Sequence, residues 1–290
     1  MADRGVKIVR LSQRVAVALG PLRSGRALAN ATVIAGERAT AVIDTMISPA
    51  MALPVRDAAA ELGAGRGVAY VINTHGDPDH LLGNALFGGA LVVAQARVAE
   101  VLARPEVRER YLQMLQAQAE GEQREEVTAA LALREPDLEF ERELTVRLGS
   151  LSARLHYVGP AHSVADSIVW VEEERLLVVA DIVFNDCFPL IRDDLDNWFV
   201  GLELASSFAP ERVVPGHGEV GGPELLERQA ALLSEIREAV KSLYTGGMSI
   251  ETAAQEPVPA GLRALPLAEE RWPNAVRGIY GVLARNSVAS

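Results

Sequence analysis

Residues 67–80 read GVAYVINTHGDPDH. An apolar run from Val68 to Ile72 stops abruptly in polar side chains, the pattern of a buried strand that delivers a loop. Within six residues the loop holds four ligand-type side chains, His75, Asp77, Asp79 and His80. Gly76 and Pro78 argue against a regular helix across it, so the alternating imidazoles and carboxylates are expected on a tight turn. Taken alone, the hexapeptide also fits a solvated polar turn.

Three more segments have the same form. VGPAHS (158–163) follows an apolar run and offers His162, Leu176 to Ala180 runs into Asp181, and VVPGHG (213–218) ends another run at His217. The chain has five histidines, His75, His80, His156, His162 and His217. Four fall in Gly-, Pro- or Asp-containing segments at strand ends, where a scaffold of strands presents ligands. Cys187 is the only cysteine, which excludes an intramolecular disulfide and a multi-cysteine zinc knuckle. Any metal must therefore sit on imidazole and carboxylate. The separation of His162 and Asp181 suits one hairpin, whose strands would bring both to the same sheet edge; Asp186 is a weaker competitor for the role of Asp181.

Outward from these segments, strand and helix signals alternate. Residues 29–45 form a hairpin pattern around Gly36-Glu37, and residues 49–63 a helix ending at Gly63. Strands are expected at 90–94, 144–158, 167–171, 176–183 and 212–214, and helices at 202–208 and 223–244. Residues 96–134, rich in Ala, Leu, Glu, Gln and Arg, show apolar residues at helical spacing and read as a two- or three-helix insertion, a candidate lid. Two further helical patterns, separated by the 257–266 loop, make a tail over 246–290. This alternation predicts an α/β sandwich with helices outside, and the absence of a linker predicts one domain over 1–290.

Hydrophobic residues make up 49% of the chain, enough for a large core. With 28 Lys and Arg against 39 Asp and Glu, the net charge of −11 disfavours nucleic acid or an anionic membrane as a partner. The opening MADRGVKIVRLSQR lacks the apolar stretch of a signal peptide or membrane anchor, so the cytoplasm is the expected location.

With these residues the sequence resembles the metallo-β-lactamase superfamily, whose hallmark is a His-x-His-x-Asp-His loop followed by a single His, an Asp and a final His. The resemblance spans roughly residues 10–245, and Asn73-Thr74-His75, Gly83-Asn84 and Pro215-Gly216-His217-Gly218 are typical of it. It implies a four-layer αββα sandwich. It also implies that His75, Asp77 and His162 hold one metal, that Asp79, His80 and His217 hold a second, and that Asp181 bridges them. Asp77 departs from the pattern, standing where the common loop has His. A hard oxygen donor is compatible with iron or manganese as well as zinc, and its charge makes a bound water less acidic. One or two divalent ions are expected, zinc first.

Two such ions can share a hydroxide and polarise a carbonyl or phosphoryl oxygen, so a metal-dependent hydrolase of an ester, thioester, lactone, amide or phosphodiester is the leading expectation. Asp79 is the candidate catalytic residue, orienting water as well as binding metal. Thr74, Asn84, Ser163 and Asp166 are candidates to hold the imidazoles. Only Lys7 and Lys241 occur in the chain, which leaves Arg192 as the substitute for a lysine on a β-lactam carboxylate. The segment 187–198 and the insertion are expected to wall the pocket, with Arg192, Phe188, Trp198 and Met114 as substrate contacts. Two other readings stand beside this one. A diiron redox enzyme fits relatives that carry a carboxylate at the position of Asp77, and a catalytically degenerate scaffold would bind a ligand in the same cleft. A small-molecule substrate is expected, and the tail, with Arg271, Trp272, Asn274 and Tyr280, either packs on the domain or makes a homodimer contact.

Overall fold

The computed structural model describes residues 5–23, 26–119, 122–192 and 195–289. Strands β1 (Lys7–Arg10) and β2 (Val15–Leu19) form a hairpin, followed by a small separate hairpin of β3 (Leu22–Arg23) and β4 (Arg26–Ala27). β5 (Ala31–Ala35) and β6 (Thr40–Ile43) pair around Gly36 as their apolar runs require, and α1 (Pro49–Leu62) follows. Ser48 caps α1 by accepting the Met51 N–H, and Pro49 occupies its first turn, where a missing N–H costs nothing. Next come β7 (Val68–Asn73), the one-turn α2 (Pro78–Leu81), β8 (Leu91–Gln95), the helices α3 (Ala96–Leu102), α4 (Pro105–Ala119) and α5 (Glu125–Thr128), and β9 (Leu138–Phe140). The second half runs β10 (Glu143–Arg147), β11 (Ser152–Tyr157), β12 (Ser167–Val171), β13 (Leu176–Phe184), α6 (Asp196–Ser207), β14 (Arg212–His217), α7 (Glu224–Thr245), α8 (Ile250–Ala253) and α9 (Ala268–Ala289).

Two sheets result, with orders β1-β2-β5-β6-β7-β8-β9 and β10-β11-β12-β13-β14. Alternation sorts each strand's side chains between layers. Val169, Val171 and Val178 meet Val15, Ile34, Ile43 and Ile72 between the sheets. Their neighbours Ile168, Trp170, Leu177 and Val179 face outward against Trp198, Leu202, Leu233 and Val276 of α6, α7 and α9. On the far side, α1 covers Val33, Val42 and Val71 through Ala52, Val55 and Ala59. The architecture is an αββα sandwich, as expected.

Several expectations need correction. The strand signals over 144–158 resolve into the β10–β11 hairpin, turning at Gly149 with φ +110°, where a side chain is strained. β1, β2 and β9 add to the expected strands. Pro78 does not keep the ligand loop from turning helical; it starts α2 at its first position.

The topology gathers the ligand segments at one edge. β13 runs parallel to β14 with Phe184 beside His217, and antiparallel to β12, so the loop before β12 lies at the end of β13. β6 runs parallel to β7 with Ile43 beside Ile72, which sets Asp44 next to the start of the His75 loop.

Candidate metal centre

The ligand-type side chains come from strand ends, from the loop and short helix that follow β7, and, for Asp181, from within a strand. His75 follows β7, Asp77 precedes α2, Asp79 and His80 lie within it, His162 sits between β11 and β12, Asp181 lies in β13 and His217 ends β14. All seven converge. His75, Asp77, His162 and Asp181 form one cluster, and Asp79, His80 and His217 a second; within each cluster one ligand atom per residue lies within 4.8 Å of the others. Asp181 faces both. Its Oδ1 is 3.1 Å from His80 Nε2 and 3.3 Å from His217 Nε2, while its Oδ2 is 3.3 Å from His162 Nε2 and 3.9 Å from His75 Nε2.

A cation fits this donor set on an observation of the side chains themselves. His75 Nε2, His80 Nε2 and Asp181 Oδ1 are buried and make no hydrogen bond among the described residues, although buried polar atoms nearly always find a partner. The opposite ring nitrogens show how the Nε2 atoms are turned toward the cluster. His80 Nδ1 donates to Asp44 Oδ2 at 2.7 Å, His162 Nδ1 to the Leu190 carbonyl at 3.0 Å, and His75 Nδ1 to Thr74 Oγ1 at 3.0 Å. Each bond fixes the tautomer that leaves Nε2 as an acceptor for metal. His217 Nδ1 has no such partner among the described residues; its ring is stacked on Phe184 at 5.0 Å and 9°.

Asp44 is the support that sequence reasoning missed. Besides His80 it accepts the Thr74 N–H at 2.9 Å and the Thr74 hydroxyl at 2.7 Å, and it is buried with φ +58°. Aspartate tolerates that region better than most residues, yet it remains strained and persists only where surroundings hold it. Of the four candidate supports, Thr74 touches His75 directly. Asn84 acts further back, exchanging hydrogen bonds with Asn73 and accepting from Thr45. Ser163 and Asp166 do not touch an imidazole: Asp166 accepts the Ala161 and Ser163 N–H groups and shapes the His162 loop. Asn30 does the same for His217, donating to the carbonyls of Pro215 and Gly218. Gly216 is required by close approach, since a Cβ there would lie 1.9 Å from Asp181 Oδ1.

Burial opposes charge throughout the cluster, and the partners overcome it. Asp77 is pushed up by burial but held well below the usual carboxylate range by the neighbouring His162 and His75 rings and by the Arg192 charge. Asp181, likewise opposed by burial, is held low by His217, His80 and His162. Burial lowers His80, yet Asp181 and Asp44 raise it well above an ordinary imidazole.

A cavity of about 330 Å³ opens beside the cluster, lined by Gly76, Asp77, Val101, His162, Arg192 and Asn197 among others. Arg192, one of the expected substrate contacts, lines this cavity. Phe188 and Trp198, two of the others, are fully buried and are not among the residues lining it. Trp198 donates to the Ile182 carbonyl and packs edge-on against His162, and Phe188 packs against Trp272 of α9. Met114 is packed behind the ligand loop, Asp186 is exposed, and His156 lies apart beside Glu143 and Phe208. The insertion supports the loop directly, for Tyr111 donates to the Gly76 carbonyl at 2.8 Å while Val98, Leu102 and Leu115 pack against Leu81 and Leu82.

The family model of the metallo-beta-lactamase superfamily matches residues 24–217. A metallo-beta-lactamase type 2 from Bacteroides fragilis is 27% identical over 110 residues, 36% of this chain and 44% of that protein, so the match spans less than half of that relative. Among solved structures, a metallo-beta-lactamase from Pontibacter korlensis superposes with a TM-score of 0.62 at 16% identity, covering 79% of this chain and 99% of that one. The DIM-1 metallo-beta-lactamase gives 0.60 at 18% identity, covering 78% and 95%. At such identities the structural likeness concerns the fold.

Proposed function

Because the chain belongs to the metallo-β-lactamase superfamily, a family of metal-dependent hydrolases, we propose that it hydrolyses a small ester, thioester, lactone, amide or phosphodiester with one or two divalent ions, zinc first. The supporting observation is the convergence of the bare Nε2 atoms of His75 and His80 on the one Asp181 carboxylate, His80 facing its unbonded Oδ1 at 3.1 Å and His75 its Oδ2 at 3.9 Å. His75, Asp77 and His162 would hold one ion, Asp79, His80 and His217 the other, and Asp181 would serve both. When bound, such ions make water nucleophilic near neutral pH and polarise the scissile carbonyl or phosphoryl oxygen.

The chain's own groups orient the rest. Asp79, half-buried with Oδ2 3.7 Å from His217 Nε2, can accept a proton from the attacking water at its carboxylate. Arg192 and Asn197 offer polar contacts to substrate, and Val101, Val164 and Ala165 an apolar wall. β-Lactam hydrolysis is the less favoured choice: neither Lys7 nor Lys241 lines the cavity, which leaves Arg192 alone for a carboxylate.

The carboxylate at 77 supports a second reading, an iron enzyme with redox chemistry. The cytoplasm, a homodimer and the absence of nucleic-acid or membrane partners belong to the proposal too; among the described residues no helix is long and apolar enough to cross a membrane. The test is elemental analysis of protein purified without added zinc, with turnover of a nitrophenyl ester and a nitrophenyl phosphodiester. Zinc or manganese is expected, and Asp181→Ala should lower kcat/KM about a thousandfold. Stoichiometric iron with O₂ consumption favours the redox reading, and full hydrolysis by Asp181→Ala rejects the hydrolytic site.

A further inference from the structure

Arg192 places a positive charge inside the first cluster. One of its terminal nitrogens lies 2.6 Å from Asp77 Oδ2, and the other is 3.2 Å from Asp77 Oδ1 and 3.3 Å from His162 Nε2. These are two of the residues whose ligand atoms a cation between His75, Asp77, His162 and Asp181 must claim. Asp77 Oδ2 is also 3.2 Å from His162 Nε2 and 3.8 Å from His75 Nε2. The guanidinium fork matches the carboxylate edge with two parallel N–H bonds, a geometry that a lysine at 192 or a neutral imidazole at 77 could not sustain. Among the described residues the second cluster contains no such rival, because the carboxylate behind His80 acts on Nδ1 and leaves Nε2 clear.

From this we infer that Arg192 is a built-in competitor for the first metal position, so the two positions differ in affinity and the one at Asp79, His80 and His217 fills first. The Arg192 side chain is 42% exposed, so it has a path outward when a cation takes Asp77. Its root stays in place, for Leu190, two residues earlier, receives the His162 Nδ1–H. The same short segment thus orients one ligand and guards another. The departure at 77 and the arginine form one device: a carboxylate that binds a metal ion when one is available and a guanidinium otherwise.

The inference rests on the metal-dependent reading above, and the experiment separates their failures. Metal-free wild-type protein, Arg192→Ala and Arg192→Lys are titrated with Zn²⁺ and with Mn²⁺ by calorimetry, alongside Asp77→His with and without Arg192→Ala. Two unequal constants are expected for the wild type. Arg192→Ala should tighten the weaker constant about tenfold, as loss of a partly exposed charge-assisted pair implies, and leave the stronger nearly unchanged. Arg192→Lys should fall between. In the Asp77→His background, with no carboxylate to contest, removing Arg192 should give no gain. If Arg192→Ala leaves both constants unchanged or weakens the first position, Arg192 is a brace for Asp77 and the inference is overturned. Should neither ion bind the wild type at all, the metal-dependent reading fails and this one with it. Melting of each metal-free variant verifies that it folds.

Discussion

His80 and His162 approach the same Asp181 carboxylate from opposite sides, at 3.1 and 3.3 Å, yet they are held by different kinds of structure. Behind His80 stands a buried web in which Asp44, Thr74, Asn73, Asn84 and Thr45 satisfy one another. Behind His162 stands one backbone carbonyl, and in front of it an arginine that reaches a cavity open to solvent. A polar network that is fully satisfied and dry is rigid, whereas a partly exposed ion pair can exchange partners. The second cluster is therefore preorganised, and the first is adjustable. This asymmetry lies in the residues around the ligands as well as in Asp77 itself.

The largest expected effect comes from removing the web's centre. Asp44→Ala leaves His80 Nδ1 and both Thr74 donors without an acceptor in a dry site, so the metal-free protein should lose about 3–5 kcal/mol of stability. Metal affinity at the second cluster should fall about 10–100-fold, the usual cost of losing a hydrogen-bond partner of a ligating imidazole. Asp44 reaches His75 only through Thr74, so the first cluster should lose less. Asp166→Ala supplies the contrast, since it loosens the His162 loop and touches nothing behind His80. Thermal melts with Zn²⁺ titrations of both variants make the comparison, and equal losses at both positions from Asp44→Ala would abolish the asymmetry.

A smaller effect, shared by both clusters, is expected at Gly216. A methyl group there must displace Asp181 or the backbone at Ala180, whose carbonyl carbon would lie 2.7 Å from the added Cβ. Overpacking of this kind costs about 1–3 kcal/mol. Because Asp181 faces both clusters, Gly216→Ala should weaken both metal constants together. A loss confined to one position would mean that Asp181 serves only that cluster.

The ligands were legible because their types are rare in this chain and each sits where an apolar run breaks. The supports were not, for a physical reason. Asp44 ends the run AVID, which reads as an ordinary strand terminus, and only the parallel pairing of β6 with β7 brings it against Thr74 and His80. The Asp77–Arg192 pair joins residues 115 positions apart, a separation that no local pattern spans. Phe188 and Trp198 misled in the opposite direction: an aromatic near a site is equally suited to brace a ligand, and both are buried behind it.

The smallest effect sharpens where the adjustable region begins. Cys187 stands five residues before Arg192, buried, with its thiol pushed up to about 11 by burial. Its neighbour Phe188 is tied on both sides, donating its N–H to the Pro266 carbonyl at 2.9 Å and accepting from Arg271 at 2.5 Å. If only the Arg192 end moves, the thiol stays protonated and covered at neutral pH, and a thiol reagent should label the native protein only as fast as the whole chain opens. Labelling should then be equally slow with and without Zn²⁺, apart from the stabilisation that bound metal gives the folded state. Rapid native labelling that Zn²⁺ suppresses at constant stability would show that the segment from 187 onward opens as a unit, which would move the boundary of the adjustable region back to the root of α9.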